Sequence, residues 1–298
     1  TAEGFRRVKE IRPDIICLAG EAHENTNEIT AVADLVVNVD FISRGYLIPW
    51  LAQRLGARTF VHVTFPRHMA IEALARRRKI MKRVCADLGL NFADEEAPDP
   101  VGEFGVDGAR RFILEQFPFW LDKYGKDTAF FCTNDAHTAP LLRMVAANGG
   151  FFVEADLPSP FMGYPEAFGI ELQDGLGDWQ GLLRRIEAAV EEAGGSGRMG
   201  MWVYSVGFIQ TTGTAEFGRL VAEGKAKLTD TKALLDSYGR FSPGARWNGA
   251  YFMDGVTAKP VRNYFLVYQD TYILGKGYMG TPEVDIPEKY FMPGQGNF

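Results

Sequence analysis

The sequence has no apolar run approaching the roughly 18 residues that a membrane-crossing helix needs, so no helical membrane span is expected. It also lacks an excess of basic charge. Thirty-two Lys and Arg stand against 38 Asp and Glu, a formal charge of −6, so its net field offers nothing to nucleic acid or anionic lipid. Cysteine is scarce: Cys17, Cys85 and Cys132 form no CxxC pair, which argues against a disulfide scaffold and for three buried thiols. The four histidines show no HExxH or HxH spacing, and Walker A, GxSxG and CxxCH sequences are missing. Gly275-Lys276-Gly277-Tyr278-Met279-Gly280 matches GxGxxG formally, but Thr281-Pro282 cannot open the helix that a phosphate cradle requires. These absences leave no residue assigned to catalysis or to a metal, and no cofactor is named.

What is present is a globular composition over 298 residues, 46% apolar and 23% charged, enough for two cores. Short apolar, β-branched or aromatic runs predict strands at Ile15–Ala19, Leu35–Val39, Thr59–Val63, Ala129–Thr133, Phe151–Val153, Trp202–Ser205 and Tyr264–Tyr268. Near-continuous apolarity suits parallel strands covered on both faces. Helices are expected between them, from Thr1 to Ile11, over 44–55, 68–88, 106–123, 139–147, 179–192, 214–223 and 231–238. In the 68–88 segment Leu74, Met81, Val84 and Leu88 recur at spacings of three, four or seven, and Gly89 follows as a left-handed cap. The basic run Arg76-Arg77-Arg78-Lys79 on that helix reads as a solvated face rather than a phosphate-reading stripe.

In open parallel sheets ligands gather beyond the carboxyl ends of the strands. Thr64-Phe65-Pro66-Arg67-His68 leaves one strand there and opens a helix, setting a guanidinium fork and an imidazole beside free backbone N–H groups. Arg67 either contacts a ligand or pairs with an acid, and His68 either contacts it or caps the helix. Asn134-Asp135-Ala136-His137 leaves another strand. Asn134 and Asp135 suit capping as well as ligand contact, while His137 is the better candidate for an exposed contact. Glu21, His23, Arg44, Phe65 and Tyr204 complete the candidate ligand-binding set, with Gln210 near it.

The segments Ala33-Asp34-Leu35-Val36-Val37-Asn38, Ser43-Arg44-Gly45-Tyr46, Phe65-Pro66-Arg67-His68-Met69, Ala97-Pro98-Asp99-Pro100, Tyr124-Gly125-Lys126-Asp127-Thr128 and Pro158-Ser159-Pro160 resemble a bacterial family of unknown function. That family is in turn similar to the type 1 periplasmic binding proteins. The resemblance implies an α/β fold of two Rossmann-like lobes with parallel sheets. The first lobe is expected from residues 1–65 and 201–298, without its opening strand–helix units, and the second from 66–200. It also implies a ligand held between the lobes; the polar strand-end residues make that a small polar or anionic molecule bound by a solute-binding or ligand-sensing protein, and a hydrolase with His62, His68 or His137 as general base is the alternative. An extracytoplasmic, lipid-anchored parent with membrane transport or signalling components as partners belongs to the same implication. An N-terminally incomplete first lobe would leave a strand edge or an apolar face uncovered near Ile15–Ala19.

Overall fold

A computed structural model describes residues 1–172 and 177–291. In chain order the elements begin with α1 (Ala2–Ile11), β1 (Leu18–Gly20), α2 (Thr26–Thr30), β2 (Leu35–Val39) and α3 (Phe41–Leu55). Then come β3 (Thr59–Thr64), α4 (Pro66–Met69), α5 (Glu72–Leu88), β4 (Asn91–Glu96), α6 (Gly105–Tyr124), β5 (Thr128–Cys132) and α7 (Asp135–Asn148). The remainder is α8 (Tyr164–Phe168), α9 (Trp179–Glu192), β6 (Gly200–Met201), α10 (Val206–Ala222), α11 (Thr231–Phe241), β7 (Trp247–Met253), β8 (Pro260–Gln269), β9 (Tyr272–Ile273) and β10 (Gly277–Tyr278), with two short 3-10 turns after it.

The chain forms two compact units. Unit one gathers Thr1–Asp40, Val206–Asp270 and the described residues 282–291. Its sheet runs β1-β2-β8-β7, parallel from β1 to β8 and antiparallel at β7. Unit two gathers Phe41–Ser205 and Thr271–Thr281. Its main sheet runs β4-β3-β5 in parallel, His62 lying opposite both Asp94 and Phe131. Parallel bridges from Ala129 to Phe151 and from Phe152 to Met199 carry the pairing on towards the antiparallel trio β6-β9-β10. Phe60, Met81, Cys85, Phe131 and Val153 are buried together between this sheet and its helices.

Two differences from the sequence reading follow from pairing. The first boundary falls at Asp40, not residue 65, because β3 is the central partner of β4 and β5 and its six residues are all buried in unit two. The return segment also lends β9 and β10 to unit two instead of passing wholly into unit one. The long helix predicted over 68–88 is broken at Ile71, whose extended backbone (φ −83°, ψ 119°) separates α4 from α5. At its other end Gly89 takes the left-handed cap conformation, φ 73°. Trp202–Ser205 is not a strand; the pairing ends at Met201 and the chain bends into α10. β4 and β7 were not anticipated, being polar or half-buried along their length.

Among the described residues β1 pairs with β2 alone, so the anticipated strand edge near Ile15–Ala19 is present. Ile11 is 80% exposed, and Ile15 and Ile16 are also exposed.

Candidate functional site

The carboxyl edge of the unit-two sheet is built by β3 and β5. Pro66 disfavours the helical region for the residue before it, and Phe65 accordingly stays extended (φ −148°, ψ 161°) before α4 begins. Its ring is buried, 4.1 Å from the ring of His68 and 5.9 Å from that of His137. At the end of β5 the Thr133 hydroxyl lies 2.9 Å from that of Thr64 and 3.1 Å from His68 Nδ1. Burial lowers the pKa of His68, leaving it neutral at pH 7.

Arg67 stands in an ion pair with Asp99. Its Nε and Nη2 donate to the two Asp99 oxygens at 2.6 and 2.8 Å, and the guanidinium holds the Asp99 carboxyl at about 2. The fork foreseen for a ligand is therefore occupied by a carboxylate of the 97–100 loop. His137 is fully buried rather than exposed, correcting the expectation. Its Nε2 lies 3.1 Å from the Pro98 carbonyl, and burial depresses its pKa. Together with the Ala97 N–H donating to the Thr64 carbonyl, these contacts fasten the 97–100 loop over the ends of β3 and β5.

Asn134 caps α7, its side chain accepting from the Ala136 N–H at 2.9 Å. Asp135, next along, is exposed. Partial loss of surrounding water, with the Asp156 carboxylate as a second cause, raises its pKa to about 6. Arg44 is buried and fully engaged, donating to Glu154 at 2.8 Å and to the Asp156 and Ala155 carbonyls at 2.9 and 2.6 Å. It cannot present its fork to a ligand while those bonds hold. Tyr204 is buried, its hydroxyl accepting from Gln180 at 3.1 Å and its ring 6.0 Å from Trp179, which lies 5.3 Å from Phe161. Glu21 and His23 belong to unit one, in the loop after β1.

The sequence reading missed Glu154, Asp156 and Arg77. Glu154 accepts from Arg44, from Trp202 Nε1 at 3.1 Å and from the Thr271 hydroxyl, so three separated segments converge on one buried carboxylate. Arg77, 2% exposed, pairs with Asp156 and lies 4.8 Å over the Phe131 ring, while Arg78 pairs with Asp94. The basic run is therefore partly internal, not simply a solvated face. A signal existed: Arg77 fills the seven-residue gap between Leu74 and Met81 on the apolar stripe.

This edge offers hydrogen-bonding and aromatic groups for holding a ligand. Burial pushes the Cys132 thiol up to about 12, and its sulfur lies 3.4 Å from the Thr138 hydroxyl, so it stands as a buried thiol rather than a thiolate. Among the described residues no group of three His, Cys, Asp or Glu side chains is placed to hold a metal ion.

The two units, each with a sheet of parallel strands and helical cover, define a two-lobed α/β fold. Within it, the chain belongs to the family described as protein of unknown function (DUF3798), whose signature matches residues 1–200. An uncharacterised protein of Treponema pallidum (strain Nichols) is 43% identical over 176 residues, covering 58% of this chain and 80% of that protein. A second from the same organism is 50% identical over 102 residues, 34% of this chain and 46% of that one. A crystal structure of a protein provisionally named a transcriptional regulator, from Clostridium difficile 630, is similar with a TM-score of 0.80 and 20% identity. That similarity covers 91% of this chain and 76% of the other, and it concerns the fold.

Proposed function

We propose that this chain is a solute-binding or ligand-sensing protein that takes a small polar ligand at the carboxyl edges of its parallel strands. The observation that carries the reading is that His68, Asn134 and Asp135 stand on the segments leaving β3 and β5, with the Phe161–Trp179–Tyr204 aromatic cluster and the buried Arg44–Glu154 and Arg77–Asp156 pairs in the same unit. Polar groups on a rigid frame with an aromatic wall are what a small-molecule site requires. With Arg67 matched by Asp99 and Arg44 by Glu154, the groups left over favour a neutral polar ligand over an anion. We place binding ahead of hydrolysis because the hydroxyl facing His68 is 1% exposed and already shared with Thr64, so it is shielded from a substrate. The resemblance of the sequence to a family similar to periplasmic binding proteins favours an extracytoplasmic setting, with membrane transport or signalling components as partners.

Native mass spectrometry of the protein purified from its own host tests the reading. A stoichiometric small-molecule adduct, and a rise in Tm when that molecule is added back in excess, are the expected results. No adduct, and no Tm response to an extract of host metabolites, would remove the proposal.

A further inference from the structure

Unit one contains an unsatisfied polar corner that the unit-two edge does not explain. Gln210, on α10, is 1% exposed, and neither its Oε1 nor its Nε2 has a hydrogen-bond partner. Buried amides are almost always bonded, and an orphaned donor or acceptor costs about 1–3 kcal/mol. Gln210 packs against the end of β1: a Cβ on Gly20 would meet its carbonyl oxygen at 3.6 Å and its own Cβ at 3.8 Å. Side chains on a helix lean toward its N-terminus and meet neighbours three residues away. Gln210 and Gly207 lie one turn apart on α10.

The residue after Gly20 is held in an uncommon conformation at the same place. Glu21 has φ 56°, a left-handed backbone that a residue with a side chain rarely adopts. Its N–H donates to the Val37 carbonyl at 3.0 Å. The next residue, Ala22, is clamped at both backbone groups by the Asn38 side chain, each bond 2.8 Å, and Asn38 is braced by the Tyr264 hydroxyl. So fixed, Glu21 carries its carboxylate to within 3.1 Å of where a Gly207 side chain would begin. Backbone strain maintained by dedicated contacts points to function.

We infer that Glu21 and Gln210 form a recognition site for the planar cis-amide edge of a neutral ligand, a primary carboxamide or the lactam of a nucleobase. This rests on the binding function proposed above and specifies its ligand chemistry. A cis-amide presents one acceptor beside one donor, the complement of Gln210 Nε2 and Oε1, and satisfies both orphaned atoms in one plane. A further N–H beside it is taken by Glu21, which accepts only. An anion supplies no donor to Gln210 Oε1 and is repelled by Glu21, while an ammonium leaves Nε2 without an acceptor. Glycine at 20 and 207 keeps both approaches free of side chains.

The test uses the full chain with guanosine and nicotinamide as probes for the two sources of the edge, and D-glucose as a polyol control. Calorimetric titration should show binding of one amide-bearing probe, guanosine assigning the nucleobase source and nicotinamide the carboxamide. Gln210→Leu should weaken it by about 10-fold or more. Because Leu removes an unsatisfied amide, its Tm without ligand should equal or exceed that of the wild type. Glu21→Gln should weaken guanosine, which offers the extra N–H, more than nicotinamide. Unchanged affinity in Gln210→Leu overturns the inference. So does binding of D-glucose alone, or a host-derived ligand without an amide edge, either of which leaves the solute-binding reading standing. Failure of the probes together with no retained host ligand removes both.

Discussion

Asp135 shows how one side chain can report on its surroundings. It follows the capping Asn134, and its pKa of about 6 lies above the ordinary range of about 3.9 because it has lost water and faces Asp156. Raised folded-state affinity for a proton means that stability falls as pH rises from about 4 to 6, where the unfolded chain has released the proton and the folded chain has not. Asp135→Asn should therefore raise Tm at pH 7.5, with the gain shrinking as pH falls through 6 and vanishing near 4. Thermal melts across that range check it, and a constant difference would assign the effect to something other than this ionisation. At the same scale, Arg67 and His137 show what sequence leaves open. Their positions at strand ends were legible, but whether a fork meets ligand or Asp99, and whether an imidazole faces water or Pro98, depends on a loop about 30 residues or more away in sequence.

At the level of elements, close packing of α3 on α5 decides several placements. A Cβ on Gly45 would stand 3.1 Å from Ile80 and 3.4 Å from the Arg77 carbonyl, so glycine permits this approach. Gly45→Val should lower stability by about 1–3 kcal/mol through overpacking, measured by urea unfolding at unchanged m-value. A neutral outcome would mean that the helices separate cheaply. The approach also carries Arg77 inward to Asp156 and Arg44 to Glu154. Periodicity gave the existence of α5, yet the break at Ile71 escaped it because both α4 and α5 are helical and the interruption lasts only about one peptide. The first half of α10 was missed for a different reason. Its Gly, Thr and β-branched residues have weak helical preference, and burial of Ile209, Gly213 and Phe217 overrides it.

For the whole molecule, the decisive feature is that unit one is discontinuous. β8 sits between β2 and β7, so the sheet of a unit begun in the first 40 residues is completed only after residue 260. Ending the chain at Ser205 should leave β1 and β2 as a two-stranded remnant too small to persist in water, with their apolar faces uncovered. Circular dichroism and size-exclusion chromatography of such a truncation should show lost sheet signal and self-association. A monodisperse protein with intact unit-one cooperativity would refute that dependence. Unit two faces the same demand on a smaller scale, since β9 reaches β6 from the return segment.

The alternation of apolar strands with amphipathic helices is local, set by side-chain period and turn residues, and for that reason the sequence alone determined the α/β class, most of its elements and the loops that bear polar groups. Tertiary structure decided the rest: the boundary at Asp40, the engagement of Arg44 and Arg67, the burial of His137, and the packing of Gln210 against Gly20. Each depends on pairings between residues far apart in the chain, and neither hydrophobic period nor short motifs encode which distant strand or carboxylate a group will meet.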